Sequence, residues 1–135
     1  MTHINHRIVR DFFAAISRGE TPDDLFTADM TGWTASSGTS PKARFLSGIR
    51  LLASIFSGPY AYTVQSLTAE EDRVAAEVHG AGTLISGEPY ENDYVFVFRI
   101  RDGRIAAIAE HSNVALVREK LHPLLAAAMA KNSPP

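Results

Sequence analysis

The chain has 135 residues, of which 45% are hydrophobic and 21% charged, and its formal net charge is −2 at pH 7. These values predict a single globular domain, and the nearly balanced charge, without a long run of either sign, argues against a nucleic-acid-binding or acidic-membrane-binding surface. The absence of cysteine excludes disulfides, zinc–thiolate sites and thiol nucleophiles.

Helices are predicted in the first third of the chain. Apolar residues recur at helical spacing between Ile4 and Ile16, and Gly19 is suited to end this helix. The segment "TPDDLF" (21–26) predicts a short second helix, because Thr and Pro are favoured where a helix begins. The next segment, "MTGWTASSGTS" (30–40), is rich in turn-forming residues.

A third helix is predicted to follow this turn-rich segment. Ser40 is a suitable N-cap and Pro41 a suitable first helical residue, and the pair Gly58-Pro59 ends the segment. One face of this helix carries a stripe of apolar side chains, as expected for a helix that packs on a core. The stripe consists of Phe45, Ile49, Leu52 and Phe56.

The second half of the chain is predicted to form four strands, at 60–69, 73–85, 89–100 and 104–114. Their separators "EED", "SGE" and "RDG" are short and turn-like, so consecutive strands should be antiparallel neighbours. A last helix over 114–121 meets Pro123, which is expected to end or kink it before "LLAAAMA" resumes it. Helices followed by an antiparallel meander predict one α+β domain over residues 1–130, with 131–135 as a flexible tail.

Side-chain alternation assigns the faces of strand 89–100 and leaves two other strands open. In strands 73–85 and 104–114 neither face is clearly the apolar one. Because neighbouring side chains of a strand point to opposite faces, the adjacent Glu110 and His111 cannot serve the same site. The buried face of strand 89–100 is predicted to carry Tyr90, Asn92, Tyr94, Phe96, Phe98 and Ile100.

Four stretches of the sequence resemble the NTF2-like superfamily, especially the SnoaL-like polyketide cyclases, the ketosteroid isomerases and the limonene-epoxide hydrolases. They are "FFAAISRG" in the first helix, "DMTGW", "GEPYENDYVFVFRIRDGRI" and "EHSN". The resemblance implies a cystatin-like cone, in which a curled antiparallel sheet, roofed by N-terminal helices, encloses a deep pocket on its concave face. It also implies a homodimer formed through the opposite face of the sheet.

The resemblance further implies which side chains face the pocket. On strand 104–114, His111 and Asn113 are expected to face away from it. The pocket-facing residues are expected to be Glu77, His79, Ala81 and Thr83, then Asn92, Tyr94, Phe96 and Phe98, then Ile108, Glu110 and Ser112.

The catalytic residues of these families are matched only in part. Glu110 stands where the SnoaL-like cyclases and the limonene-epoxide hydrolases carry a catalytic Asp, and His79 lies near a His of the cyclases. Phe12, Thr34 and Phe96 stand where the ketosteroid isomerases place polar catalytic groups, so steroid isomerisation by that machinery is not expected. An Arg of the hydrolases is also missing, so epoxide hydrolysis by their arrangement is not expected.

A carboxylate in a mostly apolar cavity suits proton abstraction next to a carbonyl group, because lost hydration raises its pKa towards neutrality. We therefore predict that Glu110 is the general base and that His79 assists it as a proton relay. Less specific roles remain open: Glu110 pairs with Arg73 or Arg104, His79 fills the core or an interface, and Trp33 serves packing. The predicted substrate-binding residues are Trp33, Phe56, Glu77, Asn92, Tyr94, Phe96, Ile108 and Ser112.

The function expected from these features is acid–base chemistry on a hydrophobic, carbonyl-bearing small molecule, as in a SnoaL-like isomerase, cyclase or dehydratase. No cofactor or metal is expected. A non-catalytic dimeric protein that binds a small hydrophobic ligand is the alternative. The N-terminal segment lacks the apolar core of a signal peptide and no apolar run is long enough to span a bilayer, so we expect a cytoplasmic protein.

Overall fold

The computed structural model describes residues 3–132 of the chain. Its helices are α1 (Ile4–Ser17), α2 (Lys42–Ser54), α3 (Val114–Leu116) and α4 (His122–Asn132), with a 3-10 turn at Asp23–Leu25 and a π-helical turn at Val117–Leu121. Its strands are β1 (Phe26–Thr34), β2 (Gly38–Pro41), β3 (Ala61–Glu70), β4 (Arg73–Thr83), β5 (Pro89–Arg101) and β6 (Arg104–Ser112).

The strands form one curled, open sheet with the order β2-β1-β6-β5-β4-β3. Strand β1 runs parallel to β6, and the other neighbouring strands are antiparallel. The predicted α+β architecture is confirmed. The four predicted strands correspond to β3 through β6 and differ from them by at most two residues at either end.

Strands β1 and β2 occupy a region for which the sequence predicts a short helix and turns. A 3-10 turn forms at Asp23–Leu25, and Phe26 already belongs to β1. The prediction that Ser40 caps α2 is also wrong, because Ser40 lies in β2 and Pro41 is the N-cap residue. Pairing within the sheet outweighs the weak strand propensity of this segment, because β1 forms hydrogen bonds with β2 on one side and with β6 on the other.

Helix α1 packs on the concave face of the sheet through the apolar stripe that the sequence predicts. Phe13 stacks on Phe96 with 5.0 Å between the ring centroids, and Phe12 meets Phe98 edge-on at 5.4 Å. All four rings are buried. Burying a side chain of this size contributes about 1.5–3 kcal/mol, so these aromatic contacts hold α1 firmly against the sheet.

A register irregularity between β5 and β6 changes the side-chain phase of β6. Ile105 and Ile108 are both buried although they are three positions apart. A β-bulge has this effect because it inserts an extra residue into one strand. Beyond the bulge normal alternation returns, so that Glu110 and Ser112 lie in phase with Ile108.

The C-terminal helical segment continues past Pro123. The π-helical turn at Val117–Leu121 precedes the proline, and such widened turns accommodate a residue that lacks a backbone N–H. Pro123 therefore does not end the helical segment, and the helix changes type just before the proline. Residues 131 and 132 belong to α4 rather than to the predicted tail, and 133–135 lie outside the described residues. Within the described part of the chain, no helix is long and apolar enough to cross a membrane.

Candidate active site

A cavity of about 750 Å³ lies between the concave face of the sheet, α2 and the C-terminal helical segment. This volume falls in the range of small-molecule binding sites. Helix α2 roofs the cavity, and Phe45, Ile49 and Leu52 of its apolar stripe stay half-buried because they face this space. The apolar wall includes Ile16, Phe45, Ile49, Leu52 and Leu121.

Glu110 is the acidic residue that lines this cavity. It lies on β6 between Phe96 of β5 and Thr34 of β1, near the middle of the sheet. Among the described residues its carboxylate has no hydrogen-bond or ion-pair partner, and it pairs with neither Arg73 nor Arg104. Burial raises the pKa of Glu110 from 4.5 to about 7, and loss of hydration is the cause. The carboxyl group therefore changes charge near neutral pH.

A pair of tyrosines lies on the same face of the sheet. The hydroxyl groups of Tyr94 and Tyr60 are 2.7 Å apart, and Tyr94 also lines the cavity. Gly80 makes room for this pair, because a Cβ at that position would lie 2.4 Å from the Tyr60 hydroxyl. Burial raises the pKa of both tyrosines above the ordinary value of 10, so both hydroxyls remain protonated donors at neutral pH.

Three of the predicted site residues line the cavity, namely Glu110, Tyr94 and Ser112. Phe96 and Ile108 face the same side of the sheet but are buried in the core and do not line the cavity. Phe96 and Ile108 therefore pack in the core and do not form the substrate contacts that the sequence predicts.

Phe56 and Asn92 are likewise structural in this arrangement. Phe56 is buried and stacks on Tyr60 with 4.5 Å between the ring centroids. The amide of Asn92 donates to the Tyr90 hydroxyl at 2.8 Å and to the Asn113 carbonyl at 3.3 Å, and its oxygen accepts from the Asn113 N–H. Asn92 thus ties β5 to the end of β6 and offers no group to the cavity.

The prediction that Glu77 and His79 face the pocket is wrong. On β4 the inward positions belong to small and apolar residues such as Val78, which leaves the odd-numbered side chains on the outer face. There the two ring nitrogens of His79 lie 2.8 Å from Asp93 and 2.9 Å from Glu91, and these carboxylates, Asp93 first, raise the pKa of His79. Glu77 accepts a hydrogen bond from the neighbouring strand. Neither residue can act on a molecule in the cavity.

Trp33 also lies on the outer side of the sheet instead of in the pocket. Its ring packs against His111 with 4.9 Å between the centroids, and it does not line the cavity. His111 is exposed, in agreement with the expectation that it faces away from Glu110. Trp33 therefore serves packing, which is the alternative that the sequence left open.

Tyr62, Arg44 and His122 line the cavity without having been predicted. Alternation along strand 60–69 places Tyr62 in phase with Tyr60, and that signal was sufficient to find it. Arg44 and His122 lie on helices, whose orientation over the sheet depends on tertiary packing. Across residues 3–132, no group of three or more His, Asp or Glu side chains is arranged to hold a metal ion.

Comparison with known families agrees with this geometry. The family model described as "SnoaL-like domain" matches residues 9–108, which is most of the chain. The chain belongs to this SnoaL-like family. The matched region ends two residues before Glu110, so it does not bear on that side chain. A search of curated proteins gave no match.

Solved structures share the fold of this SnoaL-like chain. An NTF2-like protein from Anabaena variabilis has 22% identity and a TM-score of 0.73, covering 84% of this chain and 94% of its own. IdmH from Streptomyces antibioticus, named as a candidate polyketide cyclase, has 19% identity and a TM-score of 0.74, with 95% and 99% covered. A candidate isomerase from Bacillus subtilis has 20% identity and a TM-score of 0.71, with 87% and 94% covered. At these identities the likeness establishes the NTF2-like fold, as the sequence predicts.

Proposed function

We propose that this SnoaL-like protein is an enzyme that removes a proton from the carbon next to a carbonyl group of a hydrophobic small molecule. Glu110 serves as the general base. The observation that carries the proposal is a desolvated carboxyl group that lines a cavity of about 750 Å³ and has no hydrogen-bond or ion-pair partner in the described part of the chain. A structural carboxylate in the same surroundings would be expected to have a cationic or hydrogen-bonding partner.

The raised pKa of Glu110 suits this role. A general base works best when its pKa lies near the working pH, because it is then both ionised and basic enough to accept a proton from carbon. With a pKa of about 7, Glu110 is about half ionised at neutral pH. Since no hydrogen bond from residues 3–132 occupies its oxygen atoms, both are free to accept the substrate proton.

Tyr94 is placed to stabilise the enolate that results. When Tyr60 donates its hydroxyl hydrogen to the Tyr94 oxygen, the Tyr94 hydrogen is free to point towards the cavity. A preorganised donor of this kind stabilises the negative charge that develops on the carbonyl oxygen. The partnership with Tyr60 strengthens this donor, because hydrogen bonds in a chain polarise one another.

An enolate formed in this cavity leads to isomerisation, aldol cyclisation or dehydration, depending on where the substrate carries its next reactive group. The names of the structural neighbours, a candidate cyclase and a candidate isomerase, support this class of reaction. None of these steps requires a cofactor, because the chain's own residues accept and donate the proton.

Hydrogen–deuterium exchange tests the proposal without knowledge of the natural substrate. The probe is 2-tetralone, a bicyclic ketone with acidic hydrogens next to its carbonyl, followed by proton NMR in heavy water. We expect protein-dependent exchange whose rate rises with pH and is half-maximal near pH 7, because only ionised Glu110 acts as a base. Glu110→Gln should lower this rate by at least about 100-fold, as expected for the loss of a general base.

The control variant is His79→Gln, which removes an ionisable group from the outer face and should leave exchange unchanged. Unchanged exchange in Glu110→Gln would contradict the proposal. The alternative is a non-catalytic protein that binds hydrophobic ligands. It would be favoured if the protein caused no exchange and if 2-tetralone stabilised both the wild type and Glu110→Gln against heat.

A further inference from the structure

The rim of the cavity is positively charged, although the protein as a whole is not. The chain has 15 acidic and 13 basic residues, excluding histidine. The cavity, however, is lined by two arginines, Arg44 and Arg50, and by Glu110 as its acidic group. Because burial keeps Glu110 partly protonated at neutral pH, the charge that a ligand meets on approach is positive.

Neither arginine is neutralised by the protein. Among the described residues neither has an ion-pair partner, whereas Lys42 on the same helix pairs with Asp23 at 2.8 Å. Arg50 donates to the hydroxyls of Thr21 at 2.7 Å and Ser47 at 3.5 Å, while the exposed Arg44 has no hydrogen bond or ion pair within residues 3–132. Arg44 also lies in the first turn of α2, where the helix dipole disfavours a cation, so the stability of the helix does not explain it.

Hydroxyl groups line the same cavity as these arginines. They come from the β1–β2 hairpin and from the exposed side of α2, and they are donors that suit the oxygen atoms of an anion. The hydroxyl-bearing residues are Ser36, Ser37, Thr39, Ser40 and Ser47.

The arginines and Glu110 line the same cavity from different elements, the arginines from α2 and the carboxyl group from β6. Desolvation accounts for the shift in the pKa of Glu110, with no contribution from either arginine, so neither guanidinium holds that carboxylate in its charged form. Helix α2 lines the cavity from Arg44 to Ser54, ten residues along the helix. At about 1.5 Å per residue this is a length of roughly 15 Å.

We propose, on the basis of the function proposed above, that the substrate is an amphiphile that carries a carboxylate or phosphate group, and that Arg44 binds this group at the rim. The apolar wall holds the body of the molecule, so that its carbonyl end reaches Glu110 and Tyr94. Arg50, six residues further along α2, adds a second positive charge to the lining of the cavity.

Two fluorescent probes with the same ring skeleton test this inference in the full-length protein. They are 1-anilinonaphthalene-8-sulfonate, which is anionic, and N-phenyl-1-naphthylamine, which is neutral. Arg44→Gln should weaken binding of the anionic probe by about tenfold, as expected for loss of a charge-assisted hydrogen bond, and that of the neutral probe less than twofold. Competition by decanoate, decyl phosphate and decanol then distinguishes a carboxylate from a phosphate end group.

Matched variants separate the possible outcomes. Arg10→Gln removes the same charge from the exposed side of α1, outside the cavity, and should change neither affinity. Ile49→Trp fills the cavity and should weaken both probes. Any one of three results would overturn the inference. Arg44→Gln could weaken both probes equally, the two arginine variants could have equal effects, or Ile49→Trp could bind the probes as tightly as the wild type. Glu110→Gln should leave the ratio of the two probe affinities unchanged. The experiment can therefore reject the anion site while the role of Glu110 as a base stays supported, and the exchange experiment can reject the base while the anion site stays supported.

Discussion

The burial of Glu110 disfavours its charged form and so lowers the stability of the fold at neutral and higher pH. Its pKa is raised from 4.5 to about 7 in the folded protein, a difference that corresponds to about 3 kcal/mol. The unfolded chain releases this proton near pH 4.5 whereas the folded protein retains it up to about pH 7. The stability of the protein therefore falls as the pH rises through this interval and is constant above it.

Glu110→Gln should consequently stabilise the protein in a pH-dependent manner. At pH 8 the variant avoids a buried charge, and we expect it to be more stable by up to about 3 kcal/mol. At pH 4.5 the difference should be below about 0.5 kcal/mol, because the wild-type carboxyl group is then protonated in the folded state. Chemical denaturation at the two pH values measures both differences.

The control for this prediction is Glu70→Gln, which alters an exposed carboxylate at the end of β3. A surface change of this kind should alter stability by less than about 0.5 kcal/mol at either pH. If Glu110→Gln gave the same small effect at pH 8, the carboxylate would be well solvated and the proposed base would lose its physical support.

The sequence predicts individual site residues well only where alternation and hydrophobicity agree. On β5 they agree, and the predicted buried face is buried throughout. On β4 the family resemblance implies the opposite orientation to the one observed, although Arg73 and Glu77 share one face and Val74 and Val78 the other. The apolar residues were the better guide, since two buried charges would need partners. The resemblance correctly oriented Glu110, which alternation alone had left undecided.

Among the elements, β1 was the hardest to predict. Its sequence "FTADMTGWT" lacks the regular alternation of a half-buried strand and contains Asp29 and Gly32. Both residues have tertiary partners: Asp29 accepts a hydrogen bond from Arg101, and Gly32 faces the ring of Phe45 on α2. Such long-range contacts cannot be deduced from local propensity.

The contact between Gly32 and Phe45 sets the height of α2 above the sheet. A Cβ on residue 32 would lie 2.0 Å from the Phe45 Cδ1 atom, so Gly32→Ala must push the ring and the helix outwards. We expect a loss of about 1–3 kcal/mol in the free energy of unfolding, as for other overpacked sites. Denaturation measures this loss, and Phe45→Leu in the same chain should recover part of it.

Gly48→Ala is the matched control, because it lies on the exposed side of α2 with no atom within 4 Å of the added Cβ. Replacing a glycine inside a helix should stabilise the protein by about 0.5–1 kcal/mol. If Gly32→Ala lowers the free energy of unfolding and Gly48→Ala raises it, close packing at residue 32, and not helix propensity, determines the position of α2 over the cavity. Equal signs would contradict this.

At the scale of the whole molecule, the outer face of the sheet has the pattern of a self-complementary surface. Val95 is 44% exposed on this face, beside the half-buried Val97. Arg99 lies towards one end of β5, while Asp93 lies towards the other end. A two-fold axis between Val95 and Val97 would place Arg99 of each chain near Asp93 of the other, about three residues or 10 Å from the axis.

We propose that two copies of the chain associate through this face, as the family resemblance also implies. The expected particle has twice the chain mass of 14.7 kDa, measured by native mass spectrometry or light scattering. Val95→Glu places like charges against each other at the axis and should yield monomers. Ile85→Glu makes a similar change at a residue that is 59% exposed but lies in the β4–β5 connection, and it should leave the dimer intact.

Charge exchange tests the symmetry of this dimer more directly than loss of association does. Arg99→Asp and Asp93→Arg should each weaken the dimer, because each places like charges together across the axis. The double variant restores opposite charges at both positions and should recover most of the lost affinity. Recovery requires that the two residues meet between chains, since within one chain they lie about 20 Å apart along β5. A double variant as weak as the sum of its parts would exclude this two-fold arrangement, and a monomeric wild-type protein would exclude the dimer.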